Sequence, residues 1–515
     1  MRTSFDKFGK GGVIFDQPPW DLEDGAWSNS INFRFRDGAA EAFSGQSPVF
    51  GTPLGAGKRL FTMAADTQAF WVYAGTNRVY ATDGSVHADI TSLSTSYSAS
   101  DTLLWNGGPF QQAMLLNNGR EEPQYWSPSL GTRMTRLPNW DATTLADVVR
   151  TYRNYIFAFR VTEAGLYNPR LLRHSNGAVA GNLPTSWDYT DPNEDTGRVE
   201  FGQTDDLLVD AHPLRDQFVI YKQRHIWAAQ YAGGVDNPFI YHQAFSNIGA
   251  LGQYCVANFD GNHIVLSPDD VIMHDLNQVD SVVDKRTRSW LFRQINPDKY
   301  ATCFVAANPR DREAWICFPE SGHDRPNLAL IWNWSENTHQ VRELGIDTPH
   351  IAFGIVADNS GSTFDADTGT FDGGQDTFDG GIPNAAATSL VIADPDNVNL
   401  LHVDASGTLN GRSFTKRLER ECLPLGNLLQ IKRVHRVYPK FIGLAGETVS
   451  ISVGTRERFE DAFAYGAPVS FVIGTDLWAE FRVSGRLIDI RFDYTGTHDL
   501  RIHGFDIEWE AAGLR

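Results

Sequence analysis

Short aromatic strands recur in pairs along the middle of this chain, each pair closed by small or polar turn residues. Ala69-Phe-Trp-Val-Tyr-Ala74 ends at Gly75, and Asn77-Arg-Val-Tyr-Ala81 ends at Asp83-Gly84. Ala113–Asn117 precedes Gln124–Trp126, Tyr155–Arg160 precedes Arg170–His174, and Gln217–Lys222 precedes His225–Gln230. His263–Ser267 with Val271–His274, then Cys303–Ala307 with Glu313–Phe318 and Leu328–Trp332, continue the pattern. Each pair reads as a hairpin, apolar and aromatic within and polar at its turn. A spacing of roughly 40 residues predicts propeller blades, which are four-stranded units of about 40–50 residues. Residues 59–355 then hold about seven blades. No WD or kelch signature marks the repeats, and a pair of β-sandwiches is the competing architecture.

Composition agrees with an all-β reading. The 515 residues include 46 Gly, 32 Phe, 16 Tyr and 14 Trp against only 5 Met. Aromatic residues favour strands, and Gly punctuates turns. A chain this long exceeds a single core, which rarely grows past about 250–300 residues. The net charge is −19. That excludes a nucleic-acid binder working by phosphate neutralisation, which needs a basic surface. It leaves room for a protein that handles DNA without gripping it.

Four segments follow. Residues 1–58 form a Gly/Pro-punctuated N-terminal arm holding Phe15, Trp20, Trp27, Phe33 and Phe35. Asn32-Phe-Arg-Phe-Arg-Asp-Gly38 alternates and ends in Asp-Gly, a strand-and-turn signal. The arm is too short for its own core, so it is expected to pack on the C-terminal domain or on a neighbouring subunit. Residues 59–355 are the propeller. Residues 356–385, where Thr-Phe-Asp recurs at 363, 370 and 377, read as a Gly/Asp-rich linker. Residues 386–515 return to strands: Ile431–Tyr438, Thr448–Gly454, Phe471–Ile473, Ala479–Val483, Leu487–Phe492 and Leu500–Trp509. They predict a small antiparallel sandwich.

Tests for chemistry fail one after another. Gly51-Thr-Pro-Leu-Gly-Ala-Gly57-Lys58-Arg59 lacks the first Gly and the Ser or Thr of a phosphate loop. There is no GxSxG elbow and no HExxH helix. Without a CxxC pair, Cys255, Cys303, Cys317 and Cys422 read as buried free thiols. His174, His225 and His263 sit in strand-like contexts. Asp365-Ala-Asp367-Thr-Gly369 lacks the closing Glu of a calcium loop. The pairs Glu121–Glu122, Asp205–Asp206 and Asp269–Asp270 are ordinary in a chain with 63 acids. No enzyme, cofactor or metal site is therefore expected. Lys432, Arg433, His435 and Arg436 place charge on both faces of one strand. They suit an acidic surface of a neighbouring subunit, or a solvated edge that blocks aggregation. The first ten residues lack an apolar h-region, and no run of 18 apolar residues occurs, so neither a secretory signal nor a membrane span is expected.

The two ends of the chain resemble a known family. Gly12-Val-Ile-Phe-Asp-Gln-Pro-Pro-Trp-Asp-Leu-Glu-Asp-Gly25-Ala-Trp27, then Asn32–Gly38 and Phe43-Ser-Gly45, is similar to the opening of the tail tubular protein B, or nozzle, group of short-tailed bacteriophages. Val453-Gly-Thr-Arg456, Ser484–Arg491 and Gly504–Arg515 look like that family's closing domain. Leu214–Lys222, Ile226-Trp227, Ile248-Gly249 and His263–Val271 fit its middle. The resemblance implies a structural virion protein with a propeller beside smaller β domains. It implies a homo-hexameric ring below the portal and tail adaptor protein, with tail fibres or spikes as further partners. It also implies genomic dsDNA passing through without specific binding, and assembly in the host cytoplasm. Duplex DNA carries a negative charge roughly every 1.7 Å, so an acidic lumen would centre it and let it slide. The Phe and Trp residues of the arm, with Lys432, Arg433 and Arg436, are the candidate assembly contacts. A glycan-binding or glycan-hydrolysing propeller is the alternative, marked by an exposed aromatic cleft with spaced carboxylates.

Overall fold

The computed structural model describes residues 1–65, 68–100, 104–234, 238–356, 388–427, 430–461 and 464–513. Seven four-stranded antiparallel sheets form the blades, and in the first six the strands run in chain order from first to fourth. The first blade is Arg59–Ala65, Gln68–Ala74, Val79–Thr82 and His87–Asp89. The next five begin at Asn106–Phe110, Thr144–Tyr152, Leu208–Leu214, Val256–Phe259 and Phe304–Asn308. The first strand of every blade touches that of the next, and the seventh touches the first, so the ring is closed. The hairpins expected from the sequence pair as read: Leu116 faces Gln124, Phe218 faces Ala229, and His263 faces His274.

The ring is held by a separate apolar core between each pair of adjacent blades. Phe70, Val72, Leu116 and Trp126 join the first and second blades. Phe157, Phe159, Phe218 and Trp227 join the third and fourth. Trp71, Tyr73, Val391 and Leu400 join the seventh to the first. Alternation on each strand sends one set of side chains to each neighbour, which is why blade strands are apolar on both faces. All four cysteines are buried and free. Cys317 stands opposite Phe304 in the hairpin, one position away from Cys303.

The seventh blade departs from the expected boundaries. Its strands are Ile351–Ile355, Thr388–Asp394, Asn399–Ser406 and, from the arm, Gly45–Pro48. Leu401 pairs with Pro48 and Ser406 with Gly45. The propeller therefore takes residues 45–48 from the arm and continues to 406, and the C-terminal part of the sandwich begins at Lys416 rather than at 386. The reason is topological: a ring closes when distant parts of the chain share one blade. Gly45 is required here, because a Cβ would lie 2.0 Å from the carbonyl oxygen of Thr408. The Thr-Phe-Asp repeats and Asp365–Gly369 lie outside the described residues.

The second domain is a sandwich built from both ends of the chain. One sheet runs Ala479–Gly485, Ile431–Gly443, Leu500–Gly513, Ala39–Ala42, Phe33–Arg36, with Arg2–Asp6 also on Leu500–Gly513. The other runs Val469–Val472, Thr448–Arg456, Leu487–Tyr494, Lys416–Arg420, Asn29–Ile31. The Asp37-Gly38 turn has φ of 54° and 71°, the doubly positive turn that matches the twist of a two-residue hairpin. Among the described residues the one α-helix is Arg288–Gln294, and no helix is long and apolar enough to cross a membrane.

Candidate functional site

The predicted assembly contacts divide into buried and exposed groups. Trp27, Phe33 and Phe35 are 0% exposed in the sandwich core, among Phe8, Phe492 and Phe505. The indole of Trp27 donates to the carbonyl of Phe8 at 2.8 Å. These three residues hold the arm to its own chain and have no surface for a neighbour. Phe15 stacks on Trp290 at 4.3 Å and touches both the sandwich core and the core of the fifth and sixth blades. Beside it, Asp16 accepts from the backbone N–H groups of Ser289 and Trp290 at 2.6 and 2.9 Å, at the first turn of the helix. Trp20 remains 43% exposed, edge-on to Phe459.

The basic strand also differs from expectation. Ile431–Gly443 lies between two partner strands, so it is no sheet edge. Lys432 is buried, and its ammonium donates to the carbonyls of Gln430 and Arg486. It leaves the candidate contacts. A bulge between Val434 and Arg436 shifts the alternation, so Arg433, Arg436, Tyr438 and Lys440 lie toward solvent. They meet an acidic row on the adjacent strand: Arg433 with Glu510 at 2.9 Å, Arg436 with Glu508 at 3.5 Å, and Lys440 with Asp506 at 2.7 Å. Arg2 also binds Asp506 and lies over the Tyr438 ring. Tyr438 donates to Glu508 and, with Arg436, holds that carboxylate below its ordinary range. An apolar rim borders this ladder. Leu477 is 75% and Trp478 41% exposed, and Trp478 sits under the Arg436 guanidinium. The neighbouring turn carries exposed Ile442 and Leu444.

Where sandwich meets propeller, the charges of Arg34 and Glu313 are buried. The alternation of Asn32–Gly38 sends Phe33 and Phe35 inward and Arg34 toward the sixth blade. Arg34 contacts Glu313 at 2.8 Å and Asp404 at 2.8 Å, with Asp311 at 3.7 Å. Glu313 also accepts from Gln340 and Trp315, and Asp404 from Arg342 at 2.7 Å. A bulge between Val403 and Ser406 places Asp404 where two arginines converge. Burial alone would lower the Arg34 pKa; Glu313, Asp404 and Asp311 outweigh it and hold the guanidinium charged. Asn32 adds backbone and side-chain bonds to Val341 and Glu343. Sequence reasoning missed this joint, although the Phe-Arg-Phe-Arg alternation carried its signal.

A second buried cluster closes the propeller axis. Tyr254, leading into the fifth blade, donates to the carbonyl of Trp105, leading into the second, across the ring. Arg59 lies 3.7 Å and Arg150 4.9 Å from its ring centre. Arg150 grips Asp210 through both oxygens at 2.8 and 2.9 Å. Burial alone would raise the Asp210 pKa, but Arg150 and His212 hold this carboxylate well below its ordinary range.

The remaining sequence candidates do structural work. His174 is buried against Phe157 and Phe239, and burial lowers it to about 4. Tyr221 bridges His263 and His274 at 2.6 and 2.7 Å. His225 and Lys222 share Asp206, and Glu122 pairs with Arg136. No group of three His, Cys, Asp or Glu suited to a metal occurs among the described residues. A groove of about 540 Å³ over the first three blades, lined by Phe110, Gln111, Tyr125 and Leu183 among others, has no acid, histidine or cysteine in its lining.

Together these sheets define a seven-bladed β-propeller braced against a β-sandwich. No family model matches the chain, and no curated protein does. Among solved structures it is similar to the WD40 β-propeller domain of Doa1, with 10% identity and a TM-score of 0.38 over 70% of this chain and 97% of that one. It is also similar to PorZ, a surface component of the type-IX secretion system of Porphyromonas gingivalis, with 9% identity and a TM-score of 0.36. That match covers 86% of this chain and 46% of that one. A computationally designed protein, Ika8, matches with 7% identity and a TM-score of 0.34, over 69% of this chain and 99% of that one.

Proposed function

We propose that this chain is a structural subunit of a short phage tail, forming a hexameric nozzle that continues the DNA ejection channel. The observation that carries the reading is where the resembling segments lie. The opening and closing motifs are hundreds of residues apart, yet Phe33–Arg36 joins the sheet of Leu500–Gly513, and Asn29–Ile31, between the opening motifs, joins the sheet of Thr448–Arg456 and Leu487–Tyr494. That sandwich is locked to the propeller through Arg34, Asn32 and Phe15, giving one stiff body suited to bearing load in a ring. The tail adaptor protein and the fibres or spikes are its proposed neighbours. The exposed rim of Leu477, Trp478, Ile442 and Leu444, with Trp20 and Phe459, is the proposed contact surface, because permanent interfaces draw on aromatic residues. Arg433 and Arg436 lie beside it and are kept as contacts; Phe15 is assigned to the internal joint.

The net charge of −19 supports a lumen that repels DNA and lets it slide. The test is imaging and native mass spectrometry of the purified full chain. Rings of six with an acidic lumen are expected. A monomer that cleaves glycans, or a ring with a basic lumen, would overturn the reading.

A further inference from the structure

Arg59 is a buried cation without a carboxylate. It begins the inner strand of the first blade and is 2% exposed. Its Nη1 donates to the carbonyl of Pro349 at 3.3 Å, and its flat face covers Tyr254. Its Nε has no hydrogen-bond partner, and none is present for Nη2 among the described residues. The nearby acid is Asp210, which is already used. It accepts both arms of Arg150 and the backbone N–H groups of Ala211 and Tyr254. His350, also against Arg59, accepts from the Leu60 N–H and is held neutral, well below its ordinary pKa, by burial and by Arg59 itself, and burial keeps the nearby Cys255 a neutral thiol. Among the described residues, the axis thus holds Arg59 and Arg150 against the single carboxylate of Asp210, which His212 also meets at 3.4 Å.

There is also space. Tyr254 and His350, which pack against Arg59, are both only half-buried. Solvent therefore reaches the two groups that flank Arg59. A buried charge left without a counter-charge is strongly unfavourable, whereas a guanidinium fork with open donors matches an anion.

We propose that the propeller axis is an anion site, in which Arg59 binds one small inorganic anion, chloride or phosphate, against the Tyr254 plug. The anion completes the charge balance that Asp210 leaves open. It also ties the first blade to the fifth, at the centre of the ring.

The test uses the full chain in sodium gluconate, with sodium chloride or sodium phosphate exchanged in at constant ionic strength. Tm is expected to rise saturably with one of the two, which identifies the anion, and Arg59→Met is expected to abolish that rise. No saturable rise with either anion, or the same rise in Arg59→Met, would overturn the proposal. Should Arg59→Met fail to fold, wild-type crystals grown in sodium bromide decide the matter. An anomalous peak beside the Arg59 guanidinium, or phosphate density there in crystals grown in sodium phosphate, supports the site, and an empty axis in both refutes it.

Discussion

The joint and the axis bury the same kind of side chain and treat it oppositely. At the joint, Arg34 is ringed by Glu313, Asp404 and Asp311, and Glu313 is met by Arg34, Gln340 and Trp315. At the axis, Arg59 has an aromatic face, one carbonyl and no acid. The joint is balanced by the chain itself, so it can be permanent. The axis is left one negative charge short, so its stability depends on what the solution supplies. Burial lowers the Arg59 pKa to about 10, whereas the acids around Arg34 reverse that effect. The difference shows that burial alone says little about a charged residue; its counter-charges decide the outcome.

The largest test removes the joint altogether. Deleting residues 1–44 takes strands from both sandwich sheets and removes Arg34. The sandwich is expected to unfold and ring assembly to be lost, as read by hydrogen exchange and native mass. A variant that still forms rings would break the account of the arm.

Acid should separate the two domains. His174 and His274 are lowered by burial to about 4 and His339 to about 3, while His263 and His350 lie well below 6.5. All five belong to the propeller. Such a histidine is neutral in the fold, while the unfolded chain takes up a proton below 6.5. Stability is therefore full above pH 6.5 and falls as the pH drops toward 4, by about 1.4 kcal/mol per pH unit for each histidine. Glu421 in the sandwich is pushed up to about 7 by burial, so the fold binds its proton first and the sandwich gains stability over part of the same range. Hydrogen exchange at pH 5 should open the blades before the sandwich. The reverse order would contradict this assignment.

Single substitutions give the smallest effects and the sharpest contrast. Arg34→Ala strands Glu313 in the interior and is expected to cost about 3–5 kcal/mol in denaturant unfolding. Arg59→Met removes a charge that lacks a protein partner. In gluconate it is expected to change stability far less than Arg34→Ala, and equal losses would erase the distinction between the two sites.

Local pairings were legible in the sequence. The blade hairpins have short turns, and alternation with Asp-Gly fixed the 33–42 hairpin. What could not be read was pairing between distant segments. Ser406 closing on Gly45, and Arg2–Asp6 lying on Leu500–Gly513, leave no periodic trace. An aromatic-rich arm looks the same whether it fills its own chain's core or a neighbour's, so Trp27, Phe33 and Phe35 were read as contacts. In Ile431–Gly443 the period-two rule puts Lys432 inward with Val434, and the bulge after Val434 then turns Arg436 outward, which the sequence alone does not mark. Arg34 and Arg59 look alike in sequence because the acids that meet Arg34 come from the sixth and seventh blades, hundreds of residues away, and nothing local marks that Arg59 has none.

The central claim is that this body is one subunit of a ring. The most direct measurement is the native mass of the full-length protein across a concentration series in buffer containing chloride and phosphate. A species of six chains that persists on dilution is expected. A monomer at every concentration would contradict it.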